Sequence, residues 1–176
     1  MAGPTTTYQV LKDTTEHAII KLTARWTDDT QEDNPNRISA NTLYGALNAN
    51  TTPGLLSQGG SPLPYYGLSV HRIWYDTVNA SASDVELYWN ASPVVSLMML
   101  SGNSEYDGAG NWVTIPNAAK GTSGCNGDIG LRTRGYTANT SYTIVIELRK
   151  DNAHYQRGQL NDPASFVKRM NQLLLK

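Results

Sequence analysis

The chain has a single cysteine, a single phenylalanine and only 16% charged residues among its 176 positions. With Cys125 alone, no intramolecular disulfide forms, and stability must come from packing or from partner chains. Fourteen Lys and Arg stand against fifteen Asp and Glu, a formal net charge of −1. Composition therefore supplies no basic field for nucleic acid, and none is expected as a partner. No apolar run approaches the roughly 18–20 residues of a membrane helix, so no membrane partner is expected either. The opening Met1–Thr7 lacks a basic region and an apolar stretch of signal-peptide length, which predicts synthesis in the cytoplasm.

What fills the space is Ser, Thr, Asn and Gly. Those residues supply turn geometry and local side-chain hydrogen bonds, and they suit many short strands joined by tight turns. Between Glu16 and Trp26, the side chains of Ala18, Ile20, Leu22, Ala24 and Trp26 alternate with His17, Lys21, Thr23 and Arg25. Period two marks a half-buried strand. Tyr8–Lys12, joined to it through Asp13-Thr14-Thr15, reads as a hairpin partner. An acidic loop spans 27–36, with a short strand expected over Arg37–Leu43 and a helical turn as the alternative. Further strands are expected at Gly67–Val78, Asp84–Asn90, Val94–Leu100 (buried on both faces), Asn111–Ile115, Asp128–Arg134 and Thr140–Arg149. In the last of these, Tyr142, Ile144, Ile146 and Leu148 share one face. Residues 45–64 change composition and read as an extended loop or arm around Leu55 and Leu56. At the end, Asn161-Asp162-Pro163 provides a cap and a first-turn proline, and Phe166, Met170, Leu173 and Leu174 recur at helical spacing.

These elements predict an all-β chain: an antiparallel β-sandwich, jelly-roll-like, over 1–160, followed by a short amphipathic C-terminal α-helix over 161–176. A closed barrel is the competing architecture.

Chemistry is sparse in the pattern. His17, His71 and His154 match no metal-ligand spacing, and His17 and His71 fall on polar strand faces, so no metal and no cofactor are expected. Cys125 lies in a glycine-flanked loop with nothing nearby to activate a thiol. The acidic cluster Asp28, Asp29, Glu32 and Asp33 lacks the turn glycine of a calcium loop and reads as a solvated turn. No catalytic residue is assigned. The aromatic pairs Trp74-Tyr75 and Tyr88-Trp89 say more. Neighbours on a strand point to opposite faces, so one member of each pair leaves the main core, as in a sheet covered on both sides. Trp74, Tyr88 and Trp112 are therefore candidate partner contacts, together with Leu55, Leu56, Phe166, Met170, Leu173 and Leu174. Trp74, Tyr75, Tyr88, Trp89 and Trp112 would serve as a sugar-stacking platform in the alternative reading, although at period-two positions such residues more often pack the core or an interface.

Two stretches carry a resemblance. One is the Tyr8–Lys12 strand followed by Thr14-Thr15-Glu16-His17-Ala18-Ile19-Ile20-Lys21-Leu22. The other is His71-Arg72-Ile73-Trp74-Tyr75, leading through Val85-Glu86-Leu87-Tyr88-Trp89 to the apolar Val94–Leu100. Together the chain resembles the small β-sandwich virion proteins of tailed bacteriophages, particularly marine ones. The resemblance implies a non-enzymatic role on the assembled particle: head decoration first, neck or tail as alternatives. It further implies residence in the virion, homo-oligomerisation, and contacts with the major capsid protein or with neck and tail proteins. A carbohydrate-binding, receptor-recognising module is the alternative.

Overall fold

The computed structural model describes residues 3–46, 66–78, 83–108, 113–151 and 155. The expected arm residues Leu55 and Leu56, Trp112, and the helix residues Phe166, Met170, Leu173 and Leu174 lie outside them. Ten strands are present among the described residues: β1 (Thr5–Asp13), β2 (His17–Arg25), β3 (Asp33–Ile38), β4 (Leu68–Val78), β5 (Asp84–Trp89), β6 (Val95–Leu100), β7 (Asn103–Asp107), β8 (Ile115–Pro116), β9 (Ile129–Arg134) and β10 (Ser141–Lys150). They form two antiparallel sheets. The larger runs β1-β2-β10-β4-β7, with β8 added beside β4, and the smaller runs β3-β9-β5-β6.

Alternation explains the layering. In β2 the even positions Ala18, Ile20, Leu22 and Ala24 are buried, and in β10 Tyr142, Ile144, Ile146 and Leu148 are. They meet Val85, Leu87, Trp89, Ile129 and Leu131 of the smaller sheet in one continuous apolar core. The architecture is all-β and sandwich-like. Trp26 closes one end of this core, its ring 4.5 Å from Tyr136 and 5.6 Å from Tyr142. The indole N–H donates to the Thr30 carbonyl at 2.6 Å, so its one polar atom is satisfied without leaving the core.

A buried polar bolt joins the layers. Tyr142 of β10 donates to Glu32 Oε2 at 2.7 Å, and Arg37 Nε lies 3.2 Å from Glu32 Oε1. Arg37, on β3, also donates to the Thr7 carbonyl of β1 at 2.9 Å. Burial pushes the Glu32 carboxyl up from its ordinary range, against the opposing pull of the Tyr142 hydrogen bond and the Arg37 charge. At the far end of β10, the buried Lys150 ammonium is held by Asp13, by the Thr14 carbonyl (2.7 Å) and by the Tyr44 carbonyl (2.8 Å).

Three expectations change. The strand expected over Arg37–Leu43 lies earlier, at Asp33–Ile38, and within the segment Ala40–Thr42 forms the alternative, a single 3-10 turn, held by Asp128, which accepts from the Ala40 N–H at 2.7 Å. Val95–Leu100 is a strand, but it is the edge of the smaller sheet; Leu100 is buried and Met99 is 47% exposed. Asn103–Asp107, over which no strand is expected, is the edge strand β7.

The bolt makes a graded prediction for urea denaturation. Arg37→Ala strands a buried carboxylate and should cost about 3–5 kcal/mol. Tyr142→Phe removes one donor and should cost about 1–3 kcal/mol. Equal or inverted losses would mean that the guanidinium is not what compensates Glu32.

Candidate functional site

The outer surfaces separate into a free strand edge, a sealed face and a polar face. The free edge is β1. It bonds to β2 on one side, and among the described residues nothing pairs with its other side. Thr6, Tyr8 and Val10 stand opposite the fully or nearly fully buried Ala24, Leu22 and Ile20. Yet Tyr8 is 41% exposed and Val10 46%. The register slips between Val10 and Lys12, leaving Leu11 as an extra, half-exposed residue. Natural edges are usually blunted by charge or proline. The segment Thr5–Leu11 contains neither.

The sealed face belongs to the smaller sheet. Tyr88, expected as a partner contact, is 2% exposed. Its ring lies across Gly130, where a Cβ would fall 2.3 Å from the ring carbons, so glycine is required for the ring to lie flat. The hydroxyl donates to Asp33 Oδ1 at 2.8 Å, and the Arg132 guanidinium sits 5.4 Å from the ring centroid. Beside it, buried Glu86 receives Arg132 Nε at 2.6 Å and Arg134 Nη2 at 3.0 Å. The Arg132 hydrogen bond holds the Glu86 carboxyl below its ordinary range, and burial raises the Tyr88 hydroxyl above its own. Tyr88 thus leaves the main core, as the paired-aromatic argument requires, but the chain's own side chains cover it.

The polar face is the outer side of the larger sheet. Trp74 lies here, half-buried, with the Arg72 guanidinium 5.9 Å from its ring, while Tyr75 packs against the core. Trp74, Asp76, Asn103, Glu105 and Thr143 line an open groove of about 540 Å³. On the same face, at the other end of β10, three residues remote in sequence converge. His17 Nδ1 is 3.3 Å from Glu147 Oε1, and His71 Nδ1 is 3.4 Å from the same oxygen. The polar-face placement of the histidines holds; their isolation does not. A second register slip causes this. Glu147 pairs with Arg72 and Leu148 with Val70, so His71 is the extra residue, turned outward beside Arg72.

The remaining candidates disperse. Asp28 caps the Thr30 N–H, Glu32 is inside the bolt and Asp33 receives Tyr88, so the acidic cluster does not converge on one point. Cys125 is buried, with Asn117 Nδ2 3.7 Å from its sulfur. Among the described residues no helix is long and apolar enough to cross a membrane. No family model, curated protein or solved structure matches the chain.

The Glu86 cluster sets an acid limit. Its folded pKa is lowered, so its contribution is present above the unfolded carboxylate value and is lost as pH falls through the folded one. Glu86→Gln should therefore flatten the loss of stability below the ordinary carboxylate range, as followed by denaturation midpoints at stepped pH. An unchanged acid slope would assign that loss to other groups.

Proposed function

We propose that this chain is a non-enzymatic virion structural protein of a tailed bacteriophage, most simply a capsid decoration protein that binds and stabilises the assembled particle. The observation that carries the reading is the β1 edge: nine residues long, uncharged from Thr5 to Leu11, and bearing exposed Tyr8, Val10 and Leu11. An isolated subunit gains nothing from such an edge and risks uncontrolled pairing. A subunit that lives in an assembly gains a ready strand-addition surface.

The occupant that fits is a second copy of this chain. An uncharged edge meets itself without like-charge repulsion, and antiparallel pairing of two β1 strands across a two-fold axis continues the larger sheet through both subunits. The jelly-roll-like connectivity, the helix over 161–176 with Phe166, Met170, Leu173 and Leu174, and the arm at 45–64 with Leu55 and Leu56 belong to the same reading, as contacts with capsid or neck and tail proteins. Its location is the virion.

A second reading, a carbohydrate-binding module, has one observation in its favour. Trp74 lies in a groove with two carboxylates and an amide, the combination that stacks on and hydrogen-bonds a sugar ring.

Two measurements test these readings. Val10→Lys with Leu11→Lys should leave the circular dichroism spectrum intact and convert an oligomer to monomer in sedimentation; an unchanged oligomer would remove β1 as the contact. Mass spectrometry of purified particles should find the chain at a fixed copy number relative to the major capsid protein. Its absence from particles, combined with glycan-array binding that Trp74→Ala abolishes, would replace the structural reading with the carbohydrate one.

A further inference from the structure

The geometry points to a divalent transition-metal site, of the zinc class, formed by Nδ1 of His17, Nδ1 of His71 and Oε1 of Glu147 on the outer face of the larger sheet. The three ligand atoms lie within 4.8 Å of one another. Around a tetrahedral zinc ion with bonds of about 2.0–2.1 Å, neighbouring ligand atoms are about 3.3 Å apart. The two His–Glu separations are 3.3 and 3.4 Å.

The same atoms lie at ion-pair distance, and a bound ion accounts for a further feature of them. Both Nδ1 atoms are buried and neither makes a hydrogen bond. Each lies beside the Glu147 oxygen at close range with no hydrogen bond to it. Two ligands of one ion have that relation, because their lone pairs converge on a point between them. A hydrogen-bonded pair does not. Two buried ring nitrogens left without partners on a polar face are costly unless something fills the gap.

The donor set suits a cation. Two neutral imidazoles and a carboxylate are a borderline-soft set that zinc accepts readily. Arg72 sits behind the carboxylate, its Nε 3.9 Å from Glu147 Oε2 and 2.9 Å from Asp107 Oδ1. It occupies the side of Glu147 away from the histidines, and Asp107 offsets its charge. His17 is 31% exposed and His71 19%, and both form part of the wall of a cleft of about 520 Å³ together with Lys120 and Arg149. Because the ligands come from β2, β4 and the β10 strand between them, one ion staples three adjacent strands from outside.

The test uses the full chain, free of any tag and stripped with chelator, titrated with zinc chloride in a calorimeter. One equivalent should bind, and the melting temperature should rise with zinc concentration. His17→Ala and His71→Ala should each weaken binding by more than the roughly 10–100-fold that loss of an outer partner costs. Glu147→Gln should abolish the zinc-dependent rise in melting temperature. Cobalt(II) in place of zinc should give the intense visible bands of a four-coordinate ion. His71→Gln replaces the alanine variant if that protein does not fold in chelator. No stoichiometric binding, or binding that survives loss of both His17 and His71, overturns the site.

Discussion

Strand β10 is the constraint on which the rest depends. It comes last among the described strands yet lies in the middle of the larger sheet, bonded along its length to β2 on one side and β4 on the other. Its inner positions supply Tyr142, Ile144, Ile146 and Leu148 to the core, and its outer positions supply Thr143, Val145 and Glu147 to the polar face. Until residues 141–150 arrive, β2 and β4 have no common neighbour. Pairings of such long sequence separation carry a large loop-closure cost before any contact compensates it. The fold is held together by its least local element.

The ties at the two ends of β10 follow from the same position. At one end, Tyr142 reaches across to Glu32 and Arg37, so the smaller sheet is fixed against the strand that organises the larger one. At the other, Lys150 gathers Asp13, Thr14 and Tyr44, fixing the β1–β2 turn. Buried charges of this kind add little net stability over apolar packing, but they penalise any arrangement that leaves one of them alone. They select one pairing of the sheets among several that the apolar pattern alone would allow.

Legibility in the sequence tracks burial. β2, β4, β5, β9 and β10 have one face in the core, and period two places each of them within a residue or two. β7 was invisible because Asn103–Asp107 is a polar edge with five residues and no alternation to read. β6 was legible as a strand but not as an edge, since apolar content does not say whether a second sheet covers both faces. The aromatic pairs correctly announced residues on both sides of their strands, but Tyr88 is covered from within. That cover depends on Gly130 and on Asp33, neither of which advertises itself in sequence. The histidine cluster was half legible. Parity puts His17 and Glu147 opposite apolar positions, on outer faces. Strand order brings them together with His71, whose polar-face placement was legible while the register slip beside it leaves no mark in the surrounding residues.

The two surface features meet in one hairpin. His17 opens β2 immediately after the turn that ends β1, so the metal ligand and the free edge share a single covalent connection. β1 is held to the body through its ladder with β2, by Arg37 at the Thr7 carbonyl and by Lys150 at Asp13. A two-stranded ribbon attached mainly along one side is the part of a sheet most free to twist and fray. An ion that clamps the start of β2 to β10 and β4 restrains the hairpin at the point where β1 begins its return. The edge that a neighbouring subunit would extend is then presented in one register, and the ordering cost of assembly falls before the neighbour arrives.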